Sequence, residues 1–124
     1  MSRPVYDPEN IFAKILRGEI PCNKADECPH TLSFHDIQPQ RQTHILVIPK
    51  GAYVDMTDFS ENASPEEHTA FFAAIARVVR KAGLSEEGYR VISNIGKNGH
   101  QDVPHQHMHI LGGEAAGPML MKKS

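Results

Sequence analysis

The sequence predicts an α+β domain: a five-stranded antiparallel sheet with one short and one long helix. Two observations predict the strands and the long helix: alternating or apolar runs at residues 31–35 and 44–49, and an amphipathic stretch from Ser64 to about Ala82. A third is that every connection is short and contains glycine or proline. Short links favour antiparallel neighbours, so we expect the helices on one side of the sheet.

The first half of the chain predicts a short helix followed by three strands. Residues 11–20 place apolar side chains on one helical face, after Asn10 as a capping residue and before Gly18 as a stop. The strands expected next are residues 24–28, 31–35 and 44–49. The last of these is apolar enough to be covered on both faces.

The second half predicts the long helix and two more strands. Ser64 is a capping residue, Pro65 suits the first helical position, and Gly83 ends the helix near Ala82. The predicted apolar stripe comprises Phe71, Phe72, Ile75, Val78 and Val79. The strands that follow are residues 89–94 and the segment 105–109, separated by a flexible loop.

Composition excludes several classes of protein. The 124 residues have a formal net charge of -2 and no basic block, so nucleic acid is not expected as a partner. No apolar run approaches the roughly 18 residues that span a bilayer, so we expect a soluble cytoplasmic protein that does not bind membranes. Residues 1–124 are expected to form a single domain, with its core at about 10–113 and a tail at 114–124.

His105, His107 and His109 alternate with Gln106 and Met108 and are the most informative feature. In an extended strand, alternate side chains share one face, so the three rings would be spaced by roughly 6.6 Å. A reference pKa of about 6.5 lets imidazole act as a base, a nucleophile or a proton donor near neutral pH. The pattern therefore indicates proton handling or metal ligation.

Beyond this run, the chain resembles the histidine triad superfamily, and within it the nucleotide-binding (Hint) branch. The matching blocks are residues 11–15, 18–21, 34–39, 43–50, 105–113 and 117–120. The resemblance implies a homodimer in which each subunit gives five antiparallel strands to a joint sheet. It also implies hydrolysis of purine nucleoside phosphoramidates, with no cofactor and no metal.

The resemblance assigns catalytic roles to four histidines. His107 is the nucleophile that becomes transiently nucleotidylated. His105 and His109 reach phosphoryl oxygens or order the nucleophile, and His44 completes a relay that fixes its tautomer. Asn94 matches an asparagine that donates an amide hydrogen bond to the phosphate or the leaving group.

A phosphate-side loop is implied before the triad. Its matched residues are Gly99, Gln101, Asp102 and Val103, and its exposed backbone N–H groups would bind the anion. His100, Asp102 and Pro104 depart from the usual pattern of the branch. Since Asp102 adds charge near an anionic substrate, we expect a different preference for the leaving group with the same reaction.

A nucleoside pocket is implied by the remaining blocks. Its apolar walls would be Ile11, Phe12, Ile15, Ile20, Phe34 and Ile37. Asp36 would accept hydrogen bonds from the ribose hydroxyls. His35 belongs to the same motif, but it alternates away from Phe34 and is expected at the rim or on the surface.

Two alternatives stay open at this stage. Pro104 resembles the fragile-histidine branch, which implies hydrolysis of dinucleoside polyphosphates. A module that only binds nucleotide or zinc is the second, although three alternate strand residues spread over about 13 Å and cannot all reach one ion. At most two adjacent rings of the triad and His44 could converge on a metal.

Overall fold

A computed structural model describes residues 3–120 and confirms the α+β class. The elements are α1 (Ile11–Leu16), β1 (Lys24–Cys28), β2 (Thr31–His35), β3 (Thr43–Pro49), α2 (Met56–Asn62), α3 (Pro65–Lys81), β4 (Arg90–Ile92) and β5 (Met108–Gly112). The strands form one antiparallel sheet in the order β1-β2-β3-β5-β4. Among residues 3–120, no helix has the length and apolar character needed to cross a membrane.

Side chains at the two predicted N-caps start α1 and α3. The Asn10 side chain accepts a hydrogen bond from the Ala13 amide at 2.9 Å. Ser64 accepts from the Glu67 amide, and the Glu67 carboxylate accepts from the Ser64 amide in return. Each cap satisfies backbone donors that the first turn of a helix leaves unpaired, so both start points could be read from the sequence.

The sheet has two covered faces because the central strand β3 alternates two apolar sets. Ile45 and Val47 pack with α3, whereas Leu46 and Ile48 pack on the opposite face. Phe12 of α1 belongs to this second cluster. The prediction of helices on one side of the sheet is therefore wrong, since a strand that is apolar on both faces must be covered on both.

Three details of the helices and strands differ from the sequence prediction. Helix α2 was not expected; Asp55 caps it by accepting from the Asp58 amide at 2.8 Å. Phe72 lies on the exposed side of α3 and keeps 57% of its surface, so it is not part of the core stripe. Strand β4 is shorter than expected, whereas α1 ends at Leu16 with Arg17 as its C-cap, just before the predicted stop at Gly18.

The triad segment is only partly a strand. Strand β5 begins at Met108, so His105 and His107 precede it and the expected extended run over 105–109 is wrong. The Gln106 amide bonds to the Tyr53 carbonyl at 2.7 Å instead of joining the β3 ladder, whose last pair is Val47 with Met108. The chain therefore bends before the sheet begins.

Candidate active site

His107 lies at the start of β5 with its ring on the face opposite α3, against Phe12 at a centroid distance of 5.0 Å. Its Nδ1 is 2.7 Å from the His105 carbonyl oxygen. A carbonyl only accepts hydrogen bonds, so Nδ1 of the neutral ring carries the proton and Nε2 keeps a lone pair. The backbone of the preceding histidine thus fixes the tautomer of His107.

His109 is held by a different chain of hydrogen bonds. The Gln40 amide donates to His44 Nδ1 at 3.0 Å, which leaves the His44 proton on Nε2. His44 Nε2 lies 2.9 Å from His109 Nδ1 and donates to it. His109 therefore presents an N–H at Nε2, and the predicted relay through His44 ends at His109 rather than at His107.

His105 is the most enclosed of the triad, with none of its surface exposed. Its Nε2 donates to the Pro49 carbonyl at 2.8 Å, and its Nδ1 contacts the Tyr6 hydroxyl at 2.6 Å. Both ring nitrogens are occupied, so the expectation that His105 reaches a phosphoryl oxygen is wrong. It acts as a support beneath His107.

Burial keeps the triad neutral. Desolvation lowers the pKa of His105 and of His109 to about 4, and it also lowers the pKa of His107. In His105 and His107, a hydrogen bond to a backbone carbonyl opposes the shift. At neutral pH the rings are uncharged, which is the form in which an imidazole nitrogen can attack.

Two ring nitrogens of these four histidines lack a hydrogen-bond partner within residues 3–120: Nε2 of His107 and Nε2 of His109. Both reach solvent, because the buried side-chain polar atoms without a partner in that range are the hydroxyls of Ser33 and Ser93. The two rings are neighbours, with centroids 5.0 Å apart. The acceptor nitrogen of His107 and the N–H donor of His109 are therefore neighbours at the surface.

Asp36, His44 and His109 place three potential metal ligands within 4.8 Å of one another. The ligand atom of His44 would be Nε2, which the Gln40 amide on Nδ1 obliges to carry a proton. The 2.9 Å contact from His44 Nε2 to His109 Nδ1 is also shorter than the roughly 3.3 Å edge of a zinc tetrahedron. These groups suit a hydrogen-bond relay better than a metal site.

Asn94 and the phosphate-side loop come shortly before the triad in the sequence. Ile92 pairs with His109 at the end of β4, and Asn94 follows that last paired residue by two positions. In the loop, a Cβ at Gly99 would lie 2.4 Å from the Ile95 carbonyl oxygen, so only glycine allows this close turn. The roles of Asn94 and of the loop in binding phosphate stay predictions.

The Gln101 side chain stabilises this loop through hydrogen bonds. Its amide nitrogen donates to the Val54 and Val103 carbonyls, and its amide oxygen accepts from the Gly96 N–H. The side chain is therefore engaged in holding the loop, and the Gln101 backbone N–H also donates within it, to the Gly96 carbonyl at 3.1 Å. Val103 is half-buried against the cluster that contains Phe12.

Asp102, the residue that departs from the family pattern, faces solvent. Its side chain is 81% exposed and lies 3.5 Å from His100, whose φ of 57° is the one positive value outside glycine in the described range. The left-handed backbone at His100 shapes this turn of the loop. The Asp102 carboxylate stays near the triad, because its charge is among those that raise the pKa of His107 and of His109 against the effect of burial.

The residues matched to the nucleoside pocket separate into covered and open positions. Phe12 and Phe34 meet edge to face at 5.5 Å and are buried, and Ile15 packs against the same cluster. Ile11 is 43% and Ile37 is 89% exposed, so they form an open rim, while Ile20 is half-buried outside this cluster. The aromatic residues of the implied pocket are thus buried and its apolar rim is exposed, while their role in binding a nucleoside stays a prediction.

His35 and Asp36, which are neighbours in the sequence, lie on different sides of the sheet. His35 lines a cavity with Val78 and Lys81 on the α3 face, so its inclusion among substrate-binding residues is not supported by its position. One Asp36 oxygen accepts from the Gln38 amide at 2.8 Å, and the other lies 3.5 Å from His44 Nε2. This fixes the carboxylate at the edge of the histidine face.

Comparison with known proteins identifies the family. The sequence model of the HIT domain matches residues 17–116, which is most of the chain. The chain belongs to the HIT family. Its five-stranded antiparallel fold also agrees with a histidine triad protein from Clostridium difficile, with a TM-score of 0.81 and 34% identity over 94% of this chain and all of that one.

Similar HIT proteins occur in several bacteria. An uncharacterized 13.2 kDa HIT-like protein of Azospirillum brasilense is 57% identical over 117 residues, covering 94% of this chain and 96% of its own. The purine nucleoside phosphoramidase of Escherichia coli is 40% identical over 116 residues, covering 93% and 96%. Membership of the HIT family makes this chain a nucleotide hydrolase or transferase in broad class.

Two contributors to this HIT site were missed by sequence reasoning. Tyr6 precedes the matched blocks, and nothing in its local pattern links it to a residue 99 positions later. The Gln40 contribution is a backbone amide, which every residue except proline carries, so no side-chain pattern could reveal it. Both act on histidines that the sequence did single out.

Proposed function

We propose that this HIT protein hydrolyses purine nucleoside phosphoramidates through a covalent intermediate on His107. The observation that carries the proposal is the 2.7 Å hydrogen bond from His107 Nδ1 to the His105 carbonyl. It leaves the solvent-reaching Nε2 with a lone pair, and burial keeps the ring in that neutral form. An oriented, uncharged imidazole is the nucleophile that attack on phosphorus requires.

The reaction proceeds in two displacements. In the first, His107 Nε2 bonds to phosphorus and the P–N bond breaks toward nitrogen, which leaves as an amine after taking a proton from solvent. In the second, water attacks phosphorus, the N–P electron pair returns to His107 Nε2, and water releases a proton. The two protons balance, and the neutral triad supplies neither of them.

The surrounding donors stabilise the negative charge on the phosphoryl oxygens. His109 offers its Nε2–H through the relay from Gln40 and His44. The backbone N–H groups of His100 and Gln101 already donate to the Lys97 and Gly96 carbonyls, so further donors are expected from the Asn94 side chain and the remaining loop amides. These oriented dipoles oppose the negative charge on the phosphoryl oxygens.

A purine nucleoside is the substrate that the neighbouring surface suits. Phe12 and Phe34 form an aromatic floor beside His107, and the rim at Ile11 and Ile37 can cover a flat base. Asp36 accepts hydrogen bonds and is positioned for ribose hydroxyls. The name of the Escherichia coli relative supports the choice of a purine phosphoramidate.

The proposal includes a homodimer joined along β4. This strand lies at the edge of the sheet, and Tyr89, Val91 and Ile95 on or beside it are 46%, 40% and 39% exposed. An edge strand with exposed apolar side chains is a template for pairing with a second strand. Sedimentation should show a dimer for the wild type and a monomer for Val91→Lys.

The decisive experiment measures turnover of adenosine 5'-phosphoramidate beside that of a diadenosine polyphosphate. We expect release of adenosine monophosphate and ammonia, with much slower cleavage of the polyphosphate. His107→Asn should be inactive, and an alkaline quench, which preserves a P–N bond, followed by mass spectrometry of the wild type should find the nucleotidyl group on His107. His30→Asn, which removes a histidine beside Glu66 and away from the triad, is the matched control. Faster polyphosphate cleavage, or an active His107→Asn, would contradict the proposal.

A further inference from the structure

Residues 3–10 form an anchored segment that runs from α2 to the start of α1. At one end, the Arg3 guanidinium pairs with the buried Asp58 carboxylate at 3.1 Å and donates to the Ala52 carbonyl. At the other end, the Asn10 side-chain amide donates to the Asp7 carbonyl at 2.7 Å. The segment is therefore fixed on both sides of Tyr6.

Tyr6 uses this fixed position to contact the triad. Its hydroxyl oxygen lies 2.6 Å from His105 Nδ1, and the two rings meet edge to face at 5.6 Å. His105 Nε2 already donates to the Pro49 carbonyl, so Nδ1 of the neutral ring is an acceptor and Tyr6 is the donor. Burial raises the pKa of Tyr6, so the hydroxyl keeps its proton.

We propose that Tyr6 is a positioning residue for hydrolysis, acting through His105 on the orientation of His107. The hydroxyl holds the His105 ring in one tautomer and rotamer. The carbonyl of that same residue accepts the Nδ1–H that orients His107. The inference rests on the proposed function in that His107 is taken as the nucleophile.

The hydroxyl matters because it is the partner of His105 Nδ1 within residues 3–120. His105 is fully buried, so a ring nitrogen that loses its partner cannot turn to water. Without the Tyr6 donor the ring keeps only its bond to the Pro49 carbonyl, and the unpaired Nδ1 favours proton exchange between the nitrogens or a change of rotamer. Either change loosens the backbone carbonyl on which His107 depends, without touching the pocket for the base.

Tyr6→Phe tests the proposal because it keeps the aromatic ring and removes only the donor. We expect kcat for adenosine 5'-phosphoramidate to fall by about ten- to hundredfold, as for other supporting partners of active-site histidines, while KM stays within about twofold. Side-chain 15N NMR should show His107 protonated on Nδ1 in the wild type and exchanging between tautomers in Tyr6→Phe.

Tyr89→Phe is the matched control. Tyr89 lies just before β4, is 46% exposed and makes no hydrogen bond to the triad within residues 3–120. This substitution should change neither the His107 signals nor kcat. A folded Tyr6→Phe that keeps both its kcat and its His107 signals overturns the inference, as does an equal kcat loss in Tyr89→Phe.

The NMR readout needs no substrate, so it separates this inference from the proposed function. If the wild-type protein does not cleave phosphoramidates, the tautomer of His107 in Tyr6→Phe decides the matter alone. Unchanged signals there overturn the positioning role, and exchanging signals support it.

Discussion

The two faces of the sheet are built from alternate residues of the same strands but are held together differently. On the α3 face, Ile45, Val47 and Ile110 are almost fully buried among other apolar side chains. On the opposite face, His44 and His105 are buried as well, yet each of their ring nitrogens has a partner. Packing on the α3 face therefore depends on the volumes of the side chains. Packing on the histidine face depends on which atoms donate and which accept hydrogen bonds.

This difference separates the residues that determine stability from those that determine reactivity. Apolar contacts on the α3 face are non-directional, and a residue of similar volume can replace another at modest cost. On the histidine face a substitution of equal volume fails if it does not reproduce a donor or an acceptor. Changes on the two faces should consequently affect different measurements.

The largest effect is expected from His107→Asn, which removes the nucleophile from the histidine face. Turnover of adenosine 5'-phosphoramidate should fall by about a thousandfold or more. The unfolding midpoint in urea should change less than the turnover, because the asparagine amide can still donate to the His105 carbonyl in place of Nδ1. A large loss of stability with retained turnover per folded molecule would reverse the comparison.

Ile110→Ala makes the corresponding change on the α3 face. Ile110 is fully buried in the cluster beneath α3, so truncation should cost about 4 kcal/mol of unfolding free energy. Activity per folded molecule should remain close to that of the wild type at low temperature. Urea titration and an assay on the folded fraction measure the two quantities, and an equal loss in both would show that the faces are not separable.

Lowering the pH from 6.5 toward 4 should weaken the histidine face first, before the carboxylates that hold α3 are protonated. The pKa of His105 is about 4 in the folded chain, against 6.5 in the reference state. Between these two pH values, His105 is protonated in the unfolded chain and neutral in the folded chain, so acid favours unfolding. The contribution of neutral His105 to the unfolding free energy is fully present above pH 6.5. Up to about 3 kcal/mol of it is lost as the pH falls from 6.5 to 4. Urea unfolding at several pH values measures the slope, which should be smaller in His105→Gln.

Ser33→Ala should give the smallest effect and a gain. The Ser33 hydroxyl is buried without a hydrogen-bond partner in the described part of the chain, and its neighbour across the ladder is Val47 of the α3 face. Removing an unsatisfied polar atom from an apolar face should raise the unfolding free energy by about 1 kcal/mol. Thermal unfolding against the wild type tests this, and a decrease would mean that the hydroxyl has a partner in solution.

Local signals made much of the fold predictable. The cap at Ser64 with Pro65 and Glu67 defined α3, and the apolar run at residues 44–49 defined the central strand. The sequence did not predict helix α2, because its seven residues, capped by Asp55, show too little apolar periodicity. The bend before β5 depends on the long-range bond from the Gln106 amide to Tyr53, which periodicity cannot express.

The site was predictable in its residue types and less so in their roles. His44, His107 and His109 do lie together on one face, as the alternation and the family blocks indicated. Their partners could not be assigned, because tautomers depend on which backbone groups approach each ring. The carbonyl of His105 and the amide of Gln40 supply that information, and neither is a side-chain property.

The bond from the Gln40 amide to His44 has a consequence for reading related chains. The side chain of Gln40 is exposed, and its contribution to the relay is a main-chain N–H. Position 40 should therefore accept alanine, lysine or serine equally well and reject proline alone. A position that looks freely variable in an alignment can thus determine where a proton sits two hydrogen bonds away.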